Sequence, residues 1–319
     1  MKSILITGAS GFIGSFLIEE ALSRSWDTWA GIRETSSREY LQDKKIRFID
    51  LHFADKETLK EQIRNHVSSY GKWDYIIHNA GLTKCLNKSD FDKVNYLFSR
   101  HFIEALQETG AVPEKFILMS SLSAHAEMET AYGNSKRKAE DFLKNQTEFP
   151  YVILQPTGVY GPREKDYYLM LKTIRSGLDV AAGIETQKLT FIYVKDLVRL
   201  AFLTLTSPVS GKAYAVGDGK VYTDNEYTRI AQKVLEKKHV LKIRIPLPLL
   251  KGISATLEDF SRISQKPSTL NRDKYKIMAQ RDWSCDVSPL EKDFDFRAEY
   301  DLEKGLKECV DWYKTQGWL

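Results

Sequence analysis

The chain opens on Lys2-Ser3-Ile4-Leu5-Ile6, an apolar and β-branched run, and passes directly into Gly8-Ala9-Ser10-Gly11-Phe12-Ile13-Gly14. Residues 15–22 then carry apolar side chains at helical spacing. Glycines at every third position between a strand and a helix constrain a fold severely. One permits the tight turn, one lets backbone approach a pyrophosphate, and one lets helix and strand pack closely. Anionic phosphates belong at the helix N-terminus, where N–H groups and the helix dipole favour them. The context that separates such a motif from an ordinary glycine-rich turn is present, with a strand before it and a helix after it. Gly8, Ser10, Gly11, Phe12, Ile13 and Gly14 are therefore read as a dinucleotide cradle.

The rest of the first half alternates in the same manner. Strands are predicted at 2–7, 27–33, 46–49, 74–78, 115–120 and 151–154, and helices near 12–24, 55–70, 90–109 and 130–146. That alternation predicts an α/β fold, a Rossmann-type doubly wound parallel sheet with right-handed crossovers. After Gln155-Pro156 the texture changes, and helical segments are expected at 166–177, 225–237, 247–263 and 303–315. The expected division is a dinucleotide-binding domain over 1–160 and a smaller, mostly helical substrate region over 161–319. A return of the chain to the first domain near 185–215 is left open.

Composition excludes several classes. The 319 residues are 42% hydrophobic and 28% charged, ordinary for a globular chain. No apolar run reaches the ~20 residues of a membrane helix, and the N-terminal run reads as a strand, not a signal peptide. Cys85, Cys285 and Cys309 have no metal-like spacing, so no metal site is expected, and they fit a reducing, cytoplasmic setting. The net charge of +4 is scattered along the chain and forms no nucleic-acid stripe. A small-molecule substrate is expected, with neither nucleic acid nor membrane as partner.

A second set of residues says what a dinucleotide would be used for. Ser120-Ser121-Leu122-Ser123 follows the fifth strand, and Tyr132-Gly133-Asn134-Ser135-Lys136 opens the next helix. Together with the glycine turn, Asp50-Leu51, His78-Asn79-Ala80-Gly81, Asn95 and residues 155–163 and 191–197, these segments resemble, in order, the extended short-chain dehydrogenase/reductases. That group holds nucleotide-sugar epimerases and dehydratases, dihydroflavonol-type reductases and 3β-hydroxysteroid-dehydrogenase-like enzymes. The matching stretches run from residue 7 to about 200. Two departures stand out: Gln155 where the family often has arginine, and His125-Ala126 where many members have tyrosine and glycine.

The chemistry fits that resemblance. Moving hydride to a carbonyl carbon needs a proton for its oxygen, and a free phenol, with a pKa near ~10, exchanges poorly at neutral pH. Lys136 lies one helical turn beyond Tyr132, on the same face, so its ammonium is expected to pull the phenol down. Tyr132 is the predicted general acid/base and Ser121 the polarising hydroxyl, with Ser123 next and Ser120 third. The resemblance implies that Lys136 bonds the nicotinamide ribose beside Tyr132. It further implies that Asp50 bonds the adenine amino group with Leu51 beside it, that Asn79, Ala80 and Gly81 line the cofactor edge, and that Pro156 also belongs to the cofactor site. Asn95 is read as a structural amide.

Cofactor choice is read after the second strand. Enzymes using NAD place an acid there for the ribose hydroxyls. Here Ile32 holds that position, followed by Arg33 and, nearby, Arg38, which suit a 2′-phosphate. NADP is therefore expected ahead of NAD, although an arginine stacking on adenine in an NAD enzyme reads the same way. The leading expectation is an NADP-dependent reductase acting on an alcohol or ketone. A nucleotide-sugar epimerase retaining NAD is the second and a non-catalytic dinucleotide-binding regulator the third. Relatives that pair through the Tyr–Lys helix imply a homodimer.

Overall fold

The computed structural model describes residues 1–264 and 270–319. These fall into two compact units: Met1–His125 with Ala131–Gln155 and Val198–Tyr214, and Ala126–Thr130 with Pro156–Leu197 and Ala215–Leu319.

The first unit holds the sheet. Its strands are β1 (Ser3–Thr7), β2 (Asp27–Gly31), β3 (Arg47–Ile49), β4 (Tyr75–His78), β5 (Lys115–Met119) and β6 (Tyr151–Pro156). They run in the order β6-β5-β4-β1-β2-β3, and every neighbouring pair is parallel. A seventh strand, Lys212–Val216, lies beside β6. The helices are α1 (Phe12–Ser23), α2 (Lys56–Tyr70), the short turn α3 (Ser89–Phe91), α4 (Phe98–Glu108) and α5 (Ala131–Lys144).

A sheet covered on both faces needs strands that are apolar on both sides. Ile4, Leu5, Ile6, Ile76, Ile77, Phe116, Ile117, Val152 and Ile153 are all buried. One face packs Leu59 and Ile63 of α2, Phe102, Ile103 and Leu106 of α4, and Trp73 against Leu5, Ile76 and Phe116. Burial of each such side chain contributes about 1.5–3 kcal/mol. The chain turns back on itself between β1 and β4, so the loops after those two strands open at the sheet's switch point. In open α/β sheets ligands bind in the crevice at that point.

One expected helix is interrupted. Residues 92–97 form a wider π turn between α3 and α4. The buried Asn95 within it is hydrogen-bonded to the backbone of Leu82, a contact that ties the π turn to the loop beyond β4. The second strand also stops at Gly31, ahead of the expected 33.

The second unit is built from short pieces. Gly158–Tyr160 pairs in parallel with Phe191–Tyr193, Leu178–Ala182 in parallel with Leu241–Ile245, and Lys188–Leu189 antiparallel with Tyr222–Thr223. The helices expected at 166–177, 225–237, 247–263 and 303–315 form as Lys165–Arg175, Asp224–Val234, Leu247–Ser264 and Leu302–Thr315. Helices Arg272–Ala279 and Ser288–Phe294 are additional to the expectation, as is Val194–Thr206, which from Val198 onward belongs to the first unit. The unit's core is rich in tyrosine: Tyr160, Tyr193, Tyr222, Tyr227 and Tyr313 gather with Phe191, Leu302 and Leu306.

Candidate active site

The glycine turn forms as its spacing requires. Gly8 adopts a left-handed φ of 66°, which a side-chain-bearing residue rarely takes. A Cβ on Gly14 would lie 2.2 Å from the Gly8 carbonyl oxygen and 2.7 Å from the Ala9 Cα, so helix and turn meet with no room for a methyl group. Gly11 is the N-cap of α1 and contributes no side-chain cap. Ser10 and Ile13 sit half-exposed on either side of it, and Phe12 packs edge-on against Phe16 at 5.9 Å.

The loop after β4 lies against this turn. Ala80 N–H donates to the Thr7 hydroxyl at 3.1 Å, and Asn79 Nδ2 reaches the Gly8 carbonyl at 3.5 Å. A Cβ on Gly8 would stand 2.9 Å from the Ala80 backbone. Thr7 also bonds His78 Nδ1 at 2.9 Å, and His78 Nε2 lies 3.0 Å from Ser99, whose hydroxyl donates to the Asn95 carbonyl. That sequence of donors gives His78 its proton on Nε2. Burial holds this imidazole near 3, so it stays neutral. The polar groups of the cradle are thus satisfied internally, leaving its glycine backbone as the surface presented to a ligand.

Ile32 is buried in place of an acid. Arg33 is exposed just past β2, and Arg38 lies over the Phe48 ring at 4.2 Å. One Asp50 carboxylate oxygen accepts from the Glu34 N–H at 3.0 Å, tying the loops after β2 and β3 together. The Leu51 side chain joins the core. Pro156 ends β6 and belongs to the second unit.

The Ser–Tyr–Lys group comes together within the first unit. Ser121 lies close enough to the Tyr132 phenol to favour its ionised form, and its hydroxyl accepts from the Ser123 N–H at 3.2 Å. Ser120 faces the other way, donating to Glu140, which singles out Ser121 from the serine cluster. Lys136 Nζ is buried and donates to the Met119 carbonyl at 2.9 Å. It packs so closely on the β4 loop that a Cβ on Gly81 would meet it at 3.1 Å. Asn95 holds both sides of this arrangement. Its amide accepts from Leu82 N–H at 2.7 Å, donates to Leu82 O at 3.0 Å, and donates to Ser135 of α5 at 2.9 Å. π turns recur at functional positions for this reason: they redirect one side chain without ending the helix.

The electrostatics differ from expectation in one respect. Removal from water raises the Tyr132 phenol above its usual value, and the Ser121 hydroxyl opposes that rise. The expected lowering by Lys136 is not what governs the phenol. Burial instead brings Lys136 down to about 8, while the nearby Glu140 carboxylate works to keep it charged.

Glu140, one turn beyond Lys136 on α5, escaped the sequence reading. It is fully buried, and besides Ser120 it receives Gln155 Nε2 at 2.7 Å and Lys144 Nζ at 3.2 Å. His125 Nε2 stands 2.9 Å from Glu140 and 2.8 Å from Gln155. Both departures noted in the sequence, Gln155 and His125, therefore meet at one carboxylate. The i+4 spacing from Lys136 was the available signal. Among the described residues no cluster of ligands suits a metal ion, and no helix is long and apolar enough to cross a membrane.

Comparison with known proteins agrees with this geometry. Residues 4–217 match the model of the NAD dependent epimerase/dehydratase family. A ceramide reductase of Caulobacter vibrioides is 26% identical over 99% of this chain and 96% of its own length. Among solved structures, the UDP-glucose 4-epimerase of Thermotoga maritima, determined with UDP-glucose, superposes with a TM-score of 0.75 at 18% identity, over 98% of this chain and 99% of that one. WbmG of Bordetella bronchiseptica, in complex with NAD and UDP, gives 0.75 at 19% identity, over 98% and 95%.

Proposed function

This chain belongs to the NAD dependent epimerase/dehydratase family, and from that premise we propose that it is a reductase that converts the carbonyl of a long-chain lipid to an alcohol. The observation that carries the reading is the gathering of Ser121, Tyr132 and the buried Lys136 in one unit, with burial keeping the phenol protonated and Ser121 acting on it. A protonated phenol is the form that donates, so the pair suits reduction.

The glycine cradle fits a dinucleotide, because the missing side chains let Gly8 sit against the Ala80 backbone and let α1 close on the turn at Gly14, leaving the turn's backbone at the helix N-terminus free to meet a pyrophosphate. When bound, the nicotinamide supplies the hydride that adds to the carbonyl carbon. Tyr132 gives its phenolic proton to the carbonyl oxygen, which completes the alcohol. Ser121 donates a hydrogen bond to that same oxygen as negative charge builds on it. Lys136, charged below pH about 8, favours the phenolate left behind and holds the ribose side of the site. Arg33, exposed one residue past Ile32, which holds the place of the ribose-binding acid, supports NADPH as the hydride source. The extended similarity to a ceramide reductase supports a lipid ketone in place of a sugar nucleotide.

Two measurements test this. Tyr132→Phe is expected to lower turnover of a long-chain keto lipid by about 10²–10⁴-fold while leaving NADPH affinity nearly unchanged. Unchanged turnover removes Tyr132 from the chemistry. Mass spectrometry of the purified protein, followed by NADPH and NADH titration, separates the readings. An empty, exchanging site preferring NADPH supports the reductase, whereas NAD that copurifies and exchanges slowly supports an epimerase.

A further inference from the structure

Amphipathic helices normally turn their large apolar residues inward. The helix Leu247–Ser264 does the opposite. Its inward face consists of Leu250, Ser254, Glu258 and Ser261, all buried. Its outward stripe is Leu249, Ile253, Leu257, Phe260 and Ile263, at successive helical spacings, with Phe260 64% and Ile263 81% exposed. The packing partner on the inward side is the helix Arg272–Ala279. Arg272 secures that contact, its N–H donating to Glu258 at 2.8 Å and its guanidinium to both Asp259 oxygens at 3.0 and 3.1 Å. The helix is therefore held by polar contacts and displays its hydrophobic side chains.

The strand that leads into this helix repeats the pattern. In Leu241–Ile245, Lys242 and Arg244 turn to Asp224 and Asn225, while Leu241 and Ile243 are exposed. Val180, the register partner of Ile243, is exposed as well. A run of outward apolar residues on consecutive elements exceeds the scattered exposure common on proteins and marks a contact surface.

Charge indicates what the surface meets. Residues 229–281 carry thirteen lysines and arginines against four aspartates and glutamates, in a chain whose net charge is only +4; Arg229, Lys233, Lys242, Arg244, Arg272 and Lys274 pair with carboxylates, and the cations beside the stripe remain in excess. Lys238 and Lys251 are exposed. An apolar stripe within a strongly basic segment is the signature of a helix lying in the boundary of an anionic membrane. A second copy of this chain suits it poorly, because a two-fold contact sets like patch against like and would bring two basic segments together.

We propose that the helix Leu247–Ser264 docks this protein on the surface of an anionic bilayer, its outward stripe seated among the lipid headgroups and acyl ends. The contact is peripheral, and it departs from the expectation that no membrane partner exists. It rests on the lipid-substrate reading for its purpose, since an enzyme that reduces a membrane lipid must reach it at the bilayer surface.

The test is sedimentation of the full chain with vesicles of phosphatidylcholine alone or with one third phosphatidylglycerol, free of any keto lipid. Binding to the anionic vesicles is expected, weakening as salt rises. The double variant Ile253→Ser with Phe260→Ser is expected to lose at least tenfold in vesicle affinity, with its melting temperature and NADPH titration preserved. Three results overturn the proposal: no sedimentation with anionic vesicles, equal sedimentation of wild type and variant, or a dimer in light scattering that the variant dissolves without any vesicle binding. Vesicle binding by a protein that leaves keto lipids unreduced defeats the substrate reading alone. Reduction of detergent-dispersed keto lipid by a protein that ignores vesicles defeats the docking proposal alone.

Discussion

The two units bury polar groups for different ends. In the first, polar side chains behind the cradle and along the Tyr–Lys helix are fixed in direction by their partners: Thr7 on His78 and Ala80, Asn95 on Leu82 and Ser135, Glu140 on Ser120, Gln155 and Lys144. The core around them is aliphatic and aromatic. In the second unit the polar atoms are part of the core itself. Tyr160 donates to the Asp301 carbonyl at 3.1 Å, Tyr222 to Asp218 at 2.7 Å, and Tyr313 to the carbonyls of Gly161 and Glu164 at 3.1 and 3.0 Å. Burial raises all three of these phenols. Tyr132 is raised as well, yet the group acting on it is a hydroxyl rather than a backbone carbonyl or a carboxylate. A tyrosine that staples loops and a tyrosine that gives up its proton differ in what their oxygen faces, not in the direction of their pKa.

Substitutions that strike the two kinds of site should separate them. The largest effect is expected at Gly14→Val, where the new Cβ would lie 2.2 Å from the Gly8 carbonyl oxygen. Helix α1 must move off the turn, overpacking costs about 1–3 kcal/mol, and dinucleotide binding should be lost. Unaltered NADPH binding, read by nucleotide fluorescence, would show that the turn is not the cradle.

Glu140→Gln should act more narrowly, through pH. Burial lowers Lys136 to about 8, and the Glu140 carboxylate opposes that lowering. With the carboxylate neutralised, Lys136 falls further and gives up its proton at a lower pH. The alkaline limb of kcat/KM should shift downward accordingly, while NADPH affinity at pH 6, where Lys136 remains charged in both proteins, stays the same. A limb that does not move would confine Glu140 to fixing Ser120.

Much of the first unit was legible because its signals are local. Strands buried on both faces must be continuous apolar runs, as residues 3–7 and 75–78 are, and the glycine spacing has one good structural explanation. Tyr132 and Lys136 share a helix face through spacing alone. What stayed hidden depends on which residues meet across the chain. Gln155 and His125 were conspicuous one at a time, but nothing in a linear reading brings both to Glu140. The second unit's short strands have two to five residues each and no clean alternation. Its tyrosines are ambiguous because an amphipathic ring is equally at home inside or at a surface. The helix Leu247–Ser264 was found by its periodicity, but periodicity does not tell which face turns inward.

Tyr313→Phe gives the smallest effect and the cleanest reading of the contrast. Its hydroxyl bridges the carbonyls of Gly161 and Glu164, which lie on either side of Pro162-Arg163, and its ring is fully buried. Phenylalanine keeps the ring and removes one donor shared by two carbonyls. The expected cost is about 1 kcal/mol, seen as a lower melting temperature, because a net hydrogen bond is worth roughly that much. NADPH affinity and the pH profile should be unchanged, since the hydroxyl donates only to backbone. Loss of turnover without loss of stability would mean that a second-unit tyrosine shares in the chemistry, and the division between stapling and proton-giving tyrosines would fail.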